Sequence, residues 1–186
     1  PAGMVNPFLI GERVYFRPLE HEDAAMVASW LNDPEVRAFL RIKHPINRTA
    51  EIEFIDKLAG DMTSLVLLLA LKADDRPIGV AGFQGIDPRC RKAELGISIG
   101  ATDCWSQGYG REATALLLDH AFDTLNLHRV FLQVYAHNER GIRCYEKLGF
   151  QREGVLRDDD FREGRYGDTI VMGILHSEWK RPSNRV

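Results

Sequence analysis

Cysteine, long apolar runs and an excess of charge of either sign are all missing from this chain, and each absence removes a class of protein. The three cysteines, Cys90, Cys104 and Cys144, are odd in number and none sits in a CxxC pair. Neither a disulfide framework nor a cysteine-based zinc site is therefore expected, and a reducing, cytoplasmic setting is the reading that follows. The longest apolar run, Leu65 to Leu71, falls far short of the roughly 20 residues that span a bilayer, so no membrane partner is expected. No charged segment followed by an apolar one opens the chain, so no secretory signal is expected either. The start, Pro1-Ala2-Gly3-Met4, suggests Met4 as the natural first residue and residues 1–3 as a cloning remnant. The histidines show neither HxH nor HExxH spacing, so no metal is expected. With 24 Lys+Arg against 27 Asp+Glu the net charge is −3. That lacks the basic face of a nucleic-acid binder, and a neutral or cationic partner suits it better.

What remains is an ordinary globular composition, 45% hydrophobic and 27% charged, which over 186 residues predicts a single domain. Arg13 to Pro18 alternates and reads as a strand. Glu22 to Leu31 reads as a helix stopped by Asn32-Asp33-Pro34, and Pro34 to Leu40 as a short helix with Pro in its first turn. Thr49 can cap a helix to about Ala59. Ser64 to Ala73 has the continuous apolar character of a strand buried on both faces. Ile78 to Ile86, glycine-rich and bulged, and Lys92 to Gly100 complete a meander. Gly108 to Leu125 reads as a helix with an apolar face wide enough to lie on a sheet. Arg129 to Ala136 is a strand, and Asn138 to Leu148 a helix capped by Asn138 and closed by Gly149. A strand begins at Phe150, Asp158 to Gly164 reads as a charged connection, and Asp168 to Leu175 is the last strand. The tail from Lys180 reads as frayed. That order, with no repeat and no linker, is a mixed α/β domain.

Two segments carry chemistry. In Trp105-Ser106-Gln107-Gly108-Tyr109-Gly110-Arg111-Glu112-Ala113, glycines stand at a loop-to-helix junction. Free backbone N–H groups and the positive end of a helix dipole make such a junction an anion cradle, best suited to phosphate; the alternative is a plain flexible turn. The spacing Gly108-x-Gly110-x-x-Ala113 formally fits a dinucleotide fingerprint. It does not follow its strand directly, however, and Gln133 stands where the acidic ribose ligand should be. No Walker A ending is present. The second segment, Asn138 to Phe150, places Tyr145 two turns beyond Asn138 on the same side of a helix. On its own it reads rather as a core aromatic beside Ile142 and Leu148.

Together the two segments resemble those of GNAT-family N-acetyltransferases. Trp105 to Ala113 is similar to the family's acetyl-CoA pyrophosphate motif, with Trp105 where the pattern has Arg or Gln. Asn138 to Phe150, ending Leu148-Gly149-Phe150, is similar to its second motif. The stretches Val14 to Leu19 and Trp30 to Val36 resemble the RimJ/RimL branch, and Ala121 to Gly173 is also similar to bacterial spermidine N-acetyltransferases. The resemblance implies a mixed, mostly antiparallel sheet with splayed central strands flanked by helices. It implies an acetyl-CoA-dependent transfer to a primary amine by direct attack on the thioester. It places the pyrophosphate on Gln107, Gly108, Tyr109, Gly110 and Arg111, and the pantetheine arm between main-chain groups of Ile97 and Ile99 and the side chain of Asn138. Tyr145 is then the acid that protonates the leaving thiolate, because Gly141 stands where relatives can carry a serine. A homodimer also follows by resemblance alone.

In a period-two strand Glu94, Gly96 and Ser98 share one face, which makes Glu94 the candidate base; the competing reading pairs it with Arg91 or Lys92 on a solvated surface. Asp160 is a second candidate, within a run of acids expected to be mostly solvated. Residues 20–60 mix both signs of charge, which favours the single amine of a peptide or protein N-terminus over a polyamine. A polyamine or other small amine is the alternative. A non-catalytic acyl-CoA-binding module would need only the cradle and neither Glu94 nor Tyr145.

Overall fold

A computed structural model describes residues 3–182. Residues 1–2 of the expected remnant and 183–186 of the expected frayed tail lie outside the described residues. The chain runs β1 (Leu9–Ile10), β2 (Val14–Pro18), α1 (Ala24–Asn32), α2 (Pro34–Arg37), α3 (Arg48–Leu58), β3 (Leu65–Leu71), β4 (Pro77–Asp87) and β5 (Lys92–Ile99). It continues through α4 (Tyr109–Asp119), β6 (Arg129–Tyr135), α5 (Glu139–Lys147), β7 (Gln151–Arg162) and β8 (Arg165–Leu175). One eight-stranded sheet has the order β1-β2-β3-β4-β5-β6-β8-β7. Every neighbouring pair is antiparallel except β5 and β6.

The apolar run in β3 is buried on both faces, as its composition requires. Leu67 and Leu69 join the large core under α4, while Leu68 joins a smaller one with Leu19, Ala24, Val27 and Ile55 beneath α1 and α3. The wide apolar face of α4 supplies Ala113, Leu116 and Leu117 to the large core. At its end the helix widens into a π-turn, His120–Thr124, and buried His120 has its pKa lowered by desolvation.

Some boundaries differ from the sequence reading, for local reasons. The cap of α3 is Asn47, whose side chain accepts from Ala50 N at 2.8 Å, two residues earlier than Thr49. Asp158 to Gly164 is not a connection. β7 continues to Arg162, turns at Glu163-Gly164 and returns as β8 from Arg165. The charged run is tolerated in a strand because residues 151–159 lie along the outer edge of the sheet and are exposed. The expected bulge in β4 falls near its end, where the register with β5 shifts between Gln84 and Asp87.

The central feature is the parallel pair. β5 and β6 pair only through Lys92, Ala93 and Glu94 against Arg129, Val130 and Phe131. Beyond those residues each is held on its outer side alone, β5 by β4 as far as Gly79↔Ile99 and β6 by β8 as far as Tyr135↔Thr169. The two strands therefore part, and the sheet opens as a wedge.

Candidate active site

The wedge leads into a cavity of about 730 Å³. Pleating decides what faces it. Gly100 N donates to Ile78 O on the β4 side, so by alternation the main-chain groups of Leu95, Ile97 and Ile99 point into the opening. Ile97 and Ile99 both line the cavity, as expected, but the Ile99 carbonyl is already taken: Trp105 Nε1 donates to it at 2.8 Å. The indole thus fixes the loop before α4 to the end of β5, a role its place in the motif does not reveal.

Gly108 is the N-cap of α4 at φ +85°, a left-handed conformation that suits glycine. The first-turn N–H groups that follow, at Tyr109, Gly110 and Arg111, border the cavity and have no partner within the helix. A Cβ on Gly110 would meet nothing closer than 4.0 Å, so a bulky anion can approach. Gln107 does not line the cavity: its amide donates to Asp103 O at 2.5 Å and its carbonyl accepts from Arg13 Nη1 at 2.9 Å. Arg13 further lies over the Tyr109 ring at 4.6 Å and pairs with Glu112 at 3.1 Å. Glu112 also accepts from Arg13 N at 2.8 Å. The start of β2 is in this way bolted to the cradle.

Asn138 caps α5, its Oδ1 accepting from Gly141 N at 3.0 Å, and it lines the cavity. A Cβ on Gly141 would come within 2.7 Å of the Asn138 amide, so glycine there leaves this side chain undisturbed. Tyr145 lines the cavity too, half-buried, with its ring edge-on to Phe150 at 5.8 Å. Its hydroxyl has no hydrogen-bond partner among the described residues. Burial, and then the neighbouring Cys144, push its pKa well above the ordinary value. Cys144 is itself kept a thiol by burial.

On the opposite face of the sheet stand Glu94, Gly96 and Ser98, all lining the cavity. Glu94 forms no ion pair among the described residues, with either Arg91 or Lys92; Arg91 is engaged with Asn126 through bonds of 2.8 Å. Across the wedge the same face of β6 presents Gln133 and Tyr135, with Thr169 of β8 beside them.

A strap formed by residues 38–43 covers this side. Arg162 donates to the carbonyls of Arg37 and Leu40 at 2.9 and 3.1 Å, and His137 Nε2 donates to Ala38 O at 3.1 Å. Arg41 reaches Gln133 at 2.7 Å and Asp159 at 3.1 Å, and Lys43 Nζ meets Asp160 at 2.9 Å. Asp160, the second candidate base, stands apart from Glu94: it is buried, is not among the cavity's lining residues and is held by two cations. Burial raises its pKa, but Lys43 and Arg162 outweigh that and leave it below the ordinary carboxylate value. At the wide end of the wedge Arg140 lies over Trp105 at 4.0 Å and Phe39 at 5.5 Å.

Sequence reasoning missed Arg13, Phe39, Arg41, Gln133, Tyr135, Arg140 and Thr169. The alternation Val130-Phe131-Leu132-Gln133-Val134-Tyr135 already separates the core face from the one across from Glu94, and could have found Gln133 and Tyr135. Nothing local marks Arg13 or Arg140, which act across long sequence separations.

A helix start with free N–H groups is thus set against a parallel strand pair that opens at its middle. Residues 13–151 match the family model described as Acetyltransferase (GNAT) domain, and the chain belongs to that family as an N-acetyltransferase. It is 32% identical to an uncharacterized N-acetyltransferase, p20, of Bacillus licheniformis, covering 92% of this chain and 97% of that protein. It is 30% identical to spermidine N(1)-acetyltransferase of Escherichia coli (strain K12), covering 89% and 88%. A crystal structure of spermidine N-acetyltransferase from Vibrio cholerae in complex with CoA and spermine superposes with a TM-score of 0.84 at 28% identity, over 89% of this chain and 97% of that one. Among the described residues, no helix is long and apolar enough to cross a membrane and no cluster of His, Cys, Asp and Glu could hold a metal ion.

Proposed function

We propose that the protein transfers the acetyl group of acetyl-CoA to a single primary amine, with the α-amine of a peptide or protein N-terminus as the acceptor. The observation that carries this reading is the cavity itself, which joins the α4 cradle on one side of the sheet to Glu94 on the other. The first turn of α4 fits a pyrophosphate, since its donors are free and Gly110 leaves room. The main chain of Ile97 and the side chain of Asn138 flank the path of the pantetheine arm. Acetyl-CoA supplies the thioester carbonyl. Glu94 takes a proton from the acceptor's ammonium, directly or through a water, so that the neutral amine attacks the thioester carbonyl; as the C–S bond breaks, the Tyr145 hydroxyl delivers a proton to the departing sulfur. A phenol with a raised pKa stays protonated at neutral pH and can donate to a thiolate whose reference pKa is about 8.5.

The charge of the cavity supports one amine over several. Glu94 is the sole carboxylate among the described lining residues, against Arg41, Arg111, Arg140, Arg143 and Lys147. Each further ammonium of a polyamine would need its own carboxylate. The second reading, a polyamine acceptor, is favoured by the likeness to spermidine acetyltransferases. Competition between spermidine and short peptides of varied first residue, read by CoA release, separates the two. A kcat/KM for spermidine well above that of every peptide would overturn the peptide reading.

A further inference from the structure

We infer that Thr169, with Tyr135 beside it, forms a subsite that takes a neutral hydrogen-bonding group of the acceptor, an amide or a hydroxyl lying beyond the amine. This rests on the acceptor reading above and adds what the rest of that molecule must carry. Thr169 stands on β8, opposite Tyr135 on one side and Leu156 of β7 on the other. It shares the Glu94 face of the sheet, since Ile170 and Met172 belong to the core under α4.

Thr169 is 1% exposed and lines the cavity. Its Oγ1 is the one buried side-chain polar atom among the described residues with no hydrogen-bond partner. An unpaired hydroxyl shut away from water is destabilising, and an apolar side chain of the same shape would serve the fold better. The hydroxyl is explained if the acceptor completes it. The Tyr135 ring is also buried, but its phenol oxygen, unlike Thr169 Oγ1, keeps access to the cavity and makes no hydrogen bond among the described residues. Burial, and then Asp160, raise its pKa, so it too is a neutral hydroxyl.

The surroundings argue against a second ammonium. Asp160, the nearby acid, is already paired with Lys43 and Arg162. The Arg41 and Arg162 guanidinium groups lie over the Tyr135 ring at 6.0 and 5.1 Å, and like charges repel there. Two neutral hydroxyls beneath two cations suit a carbonyl or hydroxyl oxygen.

The test uses Thr169→Val, which keeps the branched shape, and Thr169→Ser, which keeps the hydroxyl. The probes are a dipeptide amide and an alkylamine of matched length. Binding is read as the ligand-induced rise in melting temperature, with titration giving affinity, and CoA release is read alongside. Thr169→Val is expected to lower the ratio of amide to alkylamine affinity by about 3–10-fold, while its own melting temperature stays level or rises; Thr169→Ser restores the ratio. An unchanged ratio in Thr169→Val, or no amide-induced shift in the wild type, overturns the subsite. Amide binding without CoA release instead overturns acetyl transfer to this acceptor and leaves the subsite standing.

Discussion

Replacing Tyr145 by Phe removes one oxygen and leaves the ring where it is. The hydroxyl has no hydrogen bond among the described residues, and the ring's edge contact with Phe150 at 5.8 Å is retained. The folded state should therefore change by less than about 0.5 kcal/mol, and acetyl-CoA affinity, measured by calorimetry, should hold. Loss of the proton donor is expected to lower kcat by about 10²–10⁴-fold, a barrier increase of about 3–5 kcal/mol. Because the folded pKa of Tyr145 is raised above its ordinary value of 10.0, wild-type kcat should show no alkaline fall from this group below about pH 10. The stability side has a definite sign. The group's contribution is fully present below the unfolded pKa and is lost as pH climbs past it, because the unfolded chain ionises first. Above about pH 10 the Phe variant should therefore gain stability relative to the wild type. CoA release is followed with a thiol reagent. A variant whose kcat stays within a factor of about three of wild type, well short of a general-acid effect, would refute the assignment and leave Tyr145 a packing residue.

Glu94→Gln should lower kcat by about 10²-fold at pH 7, and the deficit should narrow above about pH 8 as an α-amine becomes neutral unaided; an equal deficit at both pH values contradicts the role of base. Gly108→Ala places a Cβ at φ +85°, 3.1 Å from the Arg13 guanidinium. It should cost about 1–2 kcal/mol, a melting shift of roughly 2–8 °C, and weaken CoA binding; calorimetry showing unchanged affinity would place the cofactor elsewhere. Asp160→Asn should free Lys43 and Arg162, loosening the strap and raising the acceptor KM while acetyl-CoA affinity holds. Since the folded pKa of Asp160 is depressed, its contribution exists above the unfolded value near 3.9. Melting curves should accordingly show the wild type's advantage over Asp160→Asn at neutral pH and its loss as pH falls below that value.

The elements legible in the sequence were those whose own residues impose them. The apolar run of β3, the Gly108 and Asn138 helix starts and the period-two faces of β5 each declare a local structure, and each formed where its pattern lay. That the α4 start and Tyr145 would come to one cavity was legible because both sit in contiguous motifs. What was not legible depends on distant partners. The far part of β7, from Asp158, reads as a charged connection because its strand character comes from pairing with β8, not from its residues. Asp160 reads as a candidate base in a mostly solvated run because Lys43, 117 positions away, is invisible to a local reading. The Ile99 carbonyl reads as free because only the folded loop brings the Trp105 indole back to it.

The outer edges of the sheet bear on how copies of the chain behave when crowded. A long, flat outer strand exposing Val155 and Leu156 would be a template for growth into fibrils. β7 is neither flat nor regular: its spacing breaks between Arg152 and Gly154 and again between Leu156 and Asp160, and Asp158 sits at φ +53°. Arg152, Glu153, Arg157, Asp158 and Asp159 punctuate the same edge with charge. An incoming strand can match such an edge for only a few residues before the register fails. The other end of the sheet is the two-residue β1, too short to recruit a neighbour. Both margins of the sheet are in this way closed to a strand from a second copy, and the parting of β5 from β6 is left as the place inside the sheet where a strand's inner side meets no neighbouring strand.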